Sequence, residues 1–102
     1  MELGFKLRST GYFNNQWDGC NQDTRDLINK KIDLIRWNPF RFEKHESYKH
    51  VFKVKLTVDD KYSRLMYAVF MPGPKDITLL GIFPRANDYK DFDRIFGYLK
   101  KR

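Results

Sequence analysis

Residues 51–69, VFKVKLTVDDKYSRLMYAV, alternate with a period of two, and that alternation restricts the chain more than any other stretch. Phe52, Val54, Leu56 and Val58 fall on one side of an extended segment, with Lys53, Lys55 and Thr57 on the other. Successive side chains of a strand point to opposite faces, so this is a strand with one buried face. A second strand is predicted over 63–71, where Leu65, Tyr67 and Val69 share a face. If the two apolar faces are to coincide, even positions of the first strand must oppose odd positions of the second. Lys53, Lys55 and Arg64 then meet on the opposite face. A two-residue loop at Asp59 and Asp60 would put Lys55 directly across from Arg64, with β-carbons about 5 Å apart. Lys53 would lie about 7 Å along the strand. Like charges in this arrangement repel. The plain reading is that lysines mark a solvated face. Against it, the neighbours of Arg64 on that face, Met66, Ala68 and Phe70, are apolar. The face therefore reads as a basic zone beside an apolar patch, which suits an anionic ligand.

The rest of the chain builds around this hairpin. PGPK at 72–75 interrupts pairing, and DITLLGIF supplies a third strand, so short connections predict an antiparallel meander. Both faces of 77–83 are apolar, which leaves open whether Arg85, just beyond, joins the lysine face. Upstream, LGFKLR at 3–8 reads as a short strand, and STGYFNNQWDGCNQ as a turn, a brief helix, or both. A clearer helix follows, capped by Asp23 with Asp26 in its first turn, and striped by Leu27, Ile28, Ile32, Leu34 and Ile35. It should end near Trp37, because the residue before Pro39 is disfavoured in helical geometry. NPFRFEKHESYKH reads as a polar loop with aromatic anchors. Asn87 or Asp88 can cap a last helix carrying Tyr89, Phe92, Ile95, Phe96 and Leu99 on one side.

At 102 residues the sequence predicts one domain over 1–102, long enough to bury a core without metals or disulfides. Its 41% hydrophobic and 17% aromatic content supplies that core and argues against disorder. The single cysteine, Cys20, reads as a packing residue, since it has no partner for an internal disulfide. No Cys/His cluster has zinc spacing, so neither a metal nor a cofactor is expected, and the cytoplasm is the expected location. The opening MELGFKLRST lacks the apolar core of an export signal, and no run of about 18 apolar residues suggests a membrane span. The net charge of +7 favours a polyanionic partner, either nucleic acid or an acidic protein. His45 and His50, with Glu43 and Glu46 nearby, match no metal or catalytic spacing and read as solvated loop residues.

Taken in order, DLINKKIDLIRWNP, VFKVKL, SRLMYAV, ITLLGIFPR and DYKDFDRIF resemble the RelE toxins of the RelE/ParE superfamily, over roughly residues 24–98. The resemblance implies an α+β fold with an N-terminal strand and a helical hairpin packed on a twisted antiparallel sheet, plus a C-terminal helix. It also implies a ribosome-dependent endoribonuclease that cuts messenger RNA in the ribosomal A site. The partners would be the ribosome, the message and a cognate antitoxin, the last in a complex up to a heterotetramer. By motif position, Lys53 and Lys55 match the family's strand lysines, Arg64 its strand arginine, Arg85 its arginine after the last strand, and Tyr89 its late tyrosine. The interval from Arg85 to Tyr89 is shorter than in the family pattern. Two alternatives stand beside this: a ParE-like toxin acting on DNA gyrase without nuclease activity, and a degenerate relative that only binds RNA or protein.

Overall fold

The computed structural model describes residues 4–85 and 90–100. In chain order the elements are β1 (Lys6–Ser9), α1 (Gly11–Asp18), α2 (Gln22–Trp37), β2 (Glu43–Lys44), β3 (Val51–Val58), β4 (Lys61–Val69), β5 (Asp76–Pro84) and α3 (Lys90–Phe96), the last followed by a 3-10 turn at Gly97–Leu99. The sheet order is β1-β5-β4-β3-β2. Strands β2 to β5 pair antiparallel, as a meander should, whereas β1 runs parallel to β5. The sheet is therefore mixed, where an antiparallel one was expected. A strand of four mostly exposed residues carries too little pattern to reveal its direction.

The β3-β4 connection is a two-residue loop, Asp59 and Asp60, the case that puts Lys55 across from Arg64. Asp59 and Asp60 both take positive φ, 50° and 63°, the backbone of a type I′ turn, whose twist matches that of the strands it joins. Val54 pairs with Leu65, Phe52 with Tyr67 and Lys55 with Arg64. The strand β4 starts at Lys61 and ends at Val69, so it is offset from the expected 63–71. Along β5 the pairing steps from Met66↔Gly81 to Tyr67↔Leu79, leaving Leu80 as an extra residue. This bulge reverses the strand's parity, so that Ile77, Leu79 and Ile82 face the first core while Leu80 and Phe83 face the second. Both faces of 77–83 are apolar because both are buried.

On one face lie α1 and α2, over Phe52, Val54, Leu65, Tyr67 and Leu79. Thr10 caps α1: its hydroxyl accepts from Phe13 N–H at 3.0 Å and donates to the Leu80 carbonyl at 2.7 Å. Further along α1, the Gln16 side chain donates to the Ile82 carbonyl and accepts from the Ile82 N–H, both at 2.7 Å. These bonds satisfy the backbone of β5 where β1 has ended. The cap of α2 is Asn21 instead of Asp23, its side-chain oxygen accepting from Thr24 N–H at 2.9 Å. Asp23 instead sits in the first turn, where a carboxylate favours the helix dipole. The buried stripe narrows to Ile28, Ile32 and Ile35, and Leu34 turns outward. The helix ends at Trp37, and the loop beyond is tied to the core where the Tyr67 hydroxyl donates to the Pro39 carbonyl at 2.7 Å.

On the opposite face a second core gathers Tyr48, Met66, Ala68, Phe83, Phe92 and Phe96. The expected apolar patch beside Arg64 is thus covered: Met66 and Ala68 are fully buried, and β4 ends before Phe70, which leaves the strand at φ 73°. Buried Tyr48 anchors α3, its hydroxyl donating to an Asp93 carboxylate oxygen at 2.5 Å. His45 is packed instead of solvated. Its ring lies edge-on to Tyr48 at 4.6 Å and stacks on Phe92 at 5.9 Å, while its Nδ1 accepts from Ser47 N–H at 3.1 Å. His50 is half-buried, edge-on to Phe70 at 6.0 Å.

Among the described residues no helix is long and apolar enough to cross a membrane. The cap at Asn87 or Asp88 falls outside the described residues.

Two outcomes follow for the second core. Tyr48→Phe removes the bond to Asp93 and should lower unfolding free energy by about 1–2 kcal/mol, read as a shift of the urea midpoint. Burial first, and the Lys53 charge second, hold the His45 imidazole below its ordinary pKa. As pH falls the unfolded chain takes up that proton first, from about 6.5 downward, so the unfolded state binds more protons and stability is lost. Urea titrations across that range should show the loss in the wild type and a flatter profile for His45→Phe.

Candidate active site

The turn and the register place two alternate residues of β3, Lys53 and Lys55, on one face with Arg64 of β4. All three line a cavity of about 250 Å³, together with Lys31, Arg41 and Glu43. A neighbouring cavity of about 370 Å³ shares Lys31, Lys55 and Arg64 and adds Tyr62. Lys31 enters from α2 across the sheet edge. Because β2 pairs only with Phe52 and Lys53, no strand among the described residues flanks β3 from Val54 onward, and a helix side chain can reach around it.

The three cations have different surroundings. The Lys53 ammonium lies 2.9 Å from a Glu43 carboxylate oxygen. The hydrogen bond from Lys53, then its charge, hold the Glu43 carboxyl below the usual carboxylate range, with Arg64 and Lys55 adding to the effect. Lys55 is exposed. Arg64 is only 9% exposed, and its Nη1 donates to the Ser63 carbonyl at 3.3 Å. Among the described residues no carboxylate lies within ion-pair distance of that guanidinium. Taking such an ion out of water costs several kcal/mol unless an anion is close. The field around Arg64 is thus one that an anion with several acceptor oxygens would stabilise, and a planar guanidinium suits a phosphate.

Arg85 stands apart from this group. It is exposed at the end of β5 and lines a third cavity of about 430 Å³ with Lys61 and Tyr62. Tyr62 borders both this cavity and the one holding Lys55 and Arg64. Arg85 therefore adjoins the cluster at the hairpin end of the sheet without entering the same cavity. Tyr89 lies outside the described residues. His45 packs around the second core and His50 against Phe70, and neither lines any of these three cavities. Cys20 packs against the first core, its thiol donating to the Gln16 carbonyl at 3.1 Å.

Sequence reasoning missed Lys31, Arg41, Glu43 and Tyr62. Parity could have found Tyr62, two positions before Arg64. Lys31 follows Leu27 by four residues on the same side of α2, a weaker signal. Glu43 and Arg41 sit in or beside a two-residue strand that leaves no periodic trace.

Glu43 places a carboxylate oxygen 2.9 Å from the Lys53 ammonium, so an incoming anion must compete with it. Glu43→Gln should tighten binding of inorganic phosphate by roughly two- to fivefold, the scale of an exposed ion pair. Isothermal titration of both proteins provides the comparison, and equal affinities would show that Glu43 does not compete.

No sequence-family model matches the chain, and no curated protein matches it. Solved structures do. A mutant of the E. coli toxin RelE in the free state is similar at TM-score 0.74 and 16% identity, over 97% of this chain and 99% of that one. The intact E. coli RelBE toxin-antitoxin complex is similar at TM-score 0.65 and 15% identity, over 78% of this chain and 95% of that one. With identity so low, what is shared is the architecture: a small α+β domain with the RelE fold.

Proposed function

We propose that this chain is a RelE-type toxin: a cytoplasmic, ribosome-dependent endoribonuclease that cuts messenger RNA in the A site and is neutralised by a cognate antitoxin. The observation that carries the reading is Arg64, a buried guanidinium with no carboxylate partner among the described residues, set across from Lys55 on a RelE fold.

The chemistry fits these side chains. Attack of a ribose 2′-hydroxyl on the adjacent phosphate forms a 2′-O–P bond, breaks the bond to the 5′-oxygen and leaves a cyclic phosphate. It needs a base for the hydroxyl proton, cations for the charge growing on phosphorus, and a proton for the departing oxygen. Lys53 is paired with Glu43 and serves as a charge, whereas exposed Lys55 faces the cavity and is the base we assign. Arg64 binds the scissile phosphate through its planar fork. Arg85 stabilises charge on the leaving 5′-oxygen, which takes its proton from water, and Tyr89 acts as a second base or as a stacking aromatic. No step calls for a metal ion.

The likeness to the RelBE toxin-antitoxin complex supports a protein inhibitor for this chain as well. Such a partner would cover the basic face or displace the last helix, within an assembly up to a heterotetramer.

The test is expression of the wild type beside Arg64→Ala and Arg85→Ala, with mapping of 5′ ends on translated messages. The wild type should stop growth and generate new 5′ ends within codons, and each variant should lose about two orders of magnitude in cleavage, the scale of one transition-state charge contact. Growth arrest without cut messages overturns the nuclease reading, and gyrase-linked DNA breaks would point to a ParE-like action instead.

A further inference from the structure

Tyr62 has no role in the chemistry above. It pairs with Thr57 next to the Lys55↔Arg64 pair, so it stands on the same face about 7 Å along the hairpin. Its ring is 76% exposed and makes no ring contact, hydrogen bond or ion pair with any described residue. A single exposed aromatic is ordinary by itself. Here the residue lines two cationic cavities, one holding Lys31, Lys55 and Arg64 and the other Lys61 and Arg85. Flat rings set between cations are the working surface of proteins that hold single-stranded nucleic acid: the charges track the backbone and the ring takes a base.

We infer that Tyr62 is a stacking platform for one base of a single-stranded RNA that crosses the hairpin, with the phosphates on either side of that base held by the two cationic groups. The inference rests on reading the Lys55 and Arg64 cluster as a phosphate site. Asp60, the carboxylate in the lining of the third cavity, belongs to the tight turn. Stacking accepts any base, so Tyr62 supplies affinity and places the strand without choosing its sequence.

The test uses the full chain and a short 2′-O-methyl RNA, which lacks the nucleophile and cannot be cut. Tyr62→Ala should weaken binding by roughly tenfold or more, whereas Tyr62→Trp should keep it and show indole fluorescence quenched by the bound base. An abasic sugar-phosphate oligomer of equal length should bind wild type and Tyr62→Ala alike. Because the side chain is exposed, thermal unfolding of the variants should match the wild type. The platform is overturned if Tyr62→Ala binds the RNA as the wild type does, if the abasic oligomer shows the same loss, or if the wild type binds no RNA. Tyr62-dependent binding in a protein that cuts no message would sink the nuclease reading alone. Message cleavage with unchanged binding by Tyr62→Ala would sink the platform alone.

Discussion

The pairing of β3 with β4 is the constraint on which the other features depend. Asp59 and Asp60 both adopt the left-handed backbone that a two-residue turn needs, and aspartate tolerates it better than most side chains. With the turn fixed, a slip of β3 by one residue would carry Val54 and Leu56 out of the first core and push Lys53 and Lys55 into it. The same hydrophobic burial that sets the register therefore holds Lys55 opposite Arg64. Repulsion within the pair falls on an Arg64 that is held by a buried strand and a Lys55 whose exposed side chain can swing aside.

Burial on both faces makes this hold firm. The first core lies under α1 and α2, and the second under α3 and the Tyr48 loop. β4 is the shared wall, with Arg64 through Val69 all buried. Arg64 is thus positioned by an element with little freedom to relax, as electrostatic preorganisation requires. Lys55 and Tyr62 stand instead at exposed positions of the hairpin, where side chains can adjust to a ligand.

The part of the fold written in periodic burial was legible. Alternation placed the Lys55↔Arg64 pair, and the helical stripe placed α2 to within a few residues, with Leu34 misassigned because a helix of this size needs only a narrow apolar seam. The parts that escaped lack such a period. The Leu80 bulge lies in a strand apolar on both faces, so parity could not reveal it. Tyr48 and His45 sit in a segment that reads as polar, yet their rings complete a core because α3 descends on them from far along the chain. Within the site, the β-strand cations were readable because they share the hairpin's parity. Glu43 was not, since its place beside Lys53 comes from two residues of pairing.

The two borders of the sheet are finished differently. On the β5 side, Thr10 and Gln16 occupy the backbone groups of Leu80 and Ile82 with side-chain bonds, so another strand finds few groups to pair with there. On the β3 side no strand among the described residues pairs with the border from Val54 onward, and Lys55 and Lys31 line a cavity there. An uncovered border is where copies of a protein tend to zip together, and lysine is a common deterrent. The cations that line these cavities thus also set like charges along the border, which disfavours one molecule's edge docking on another's.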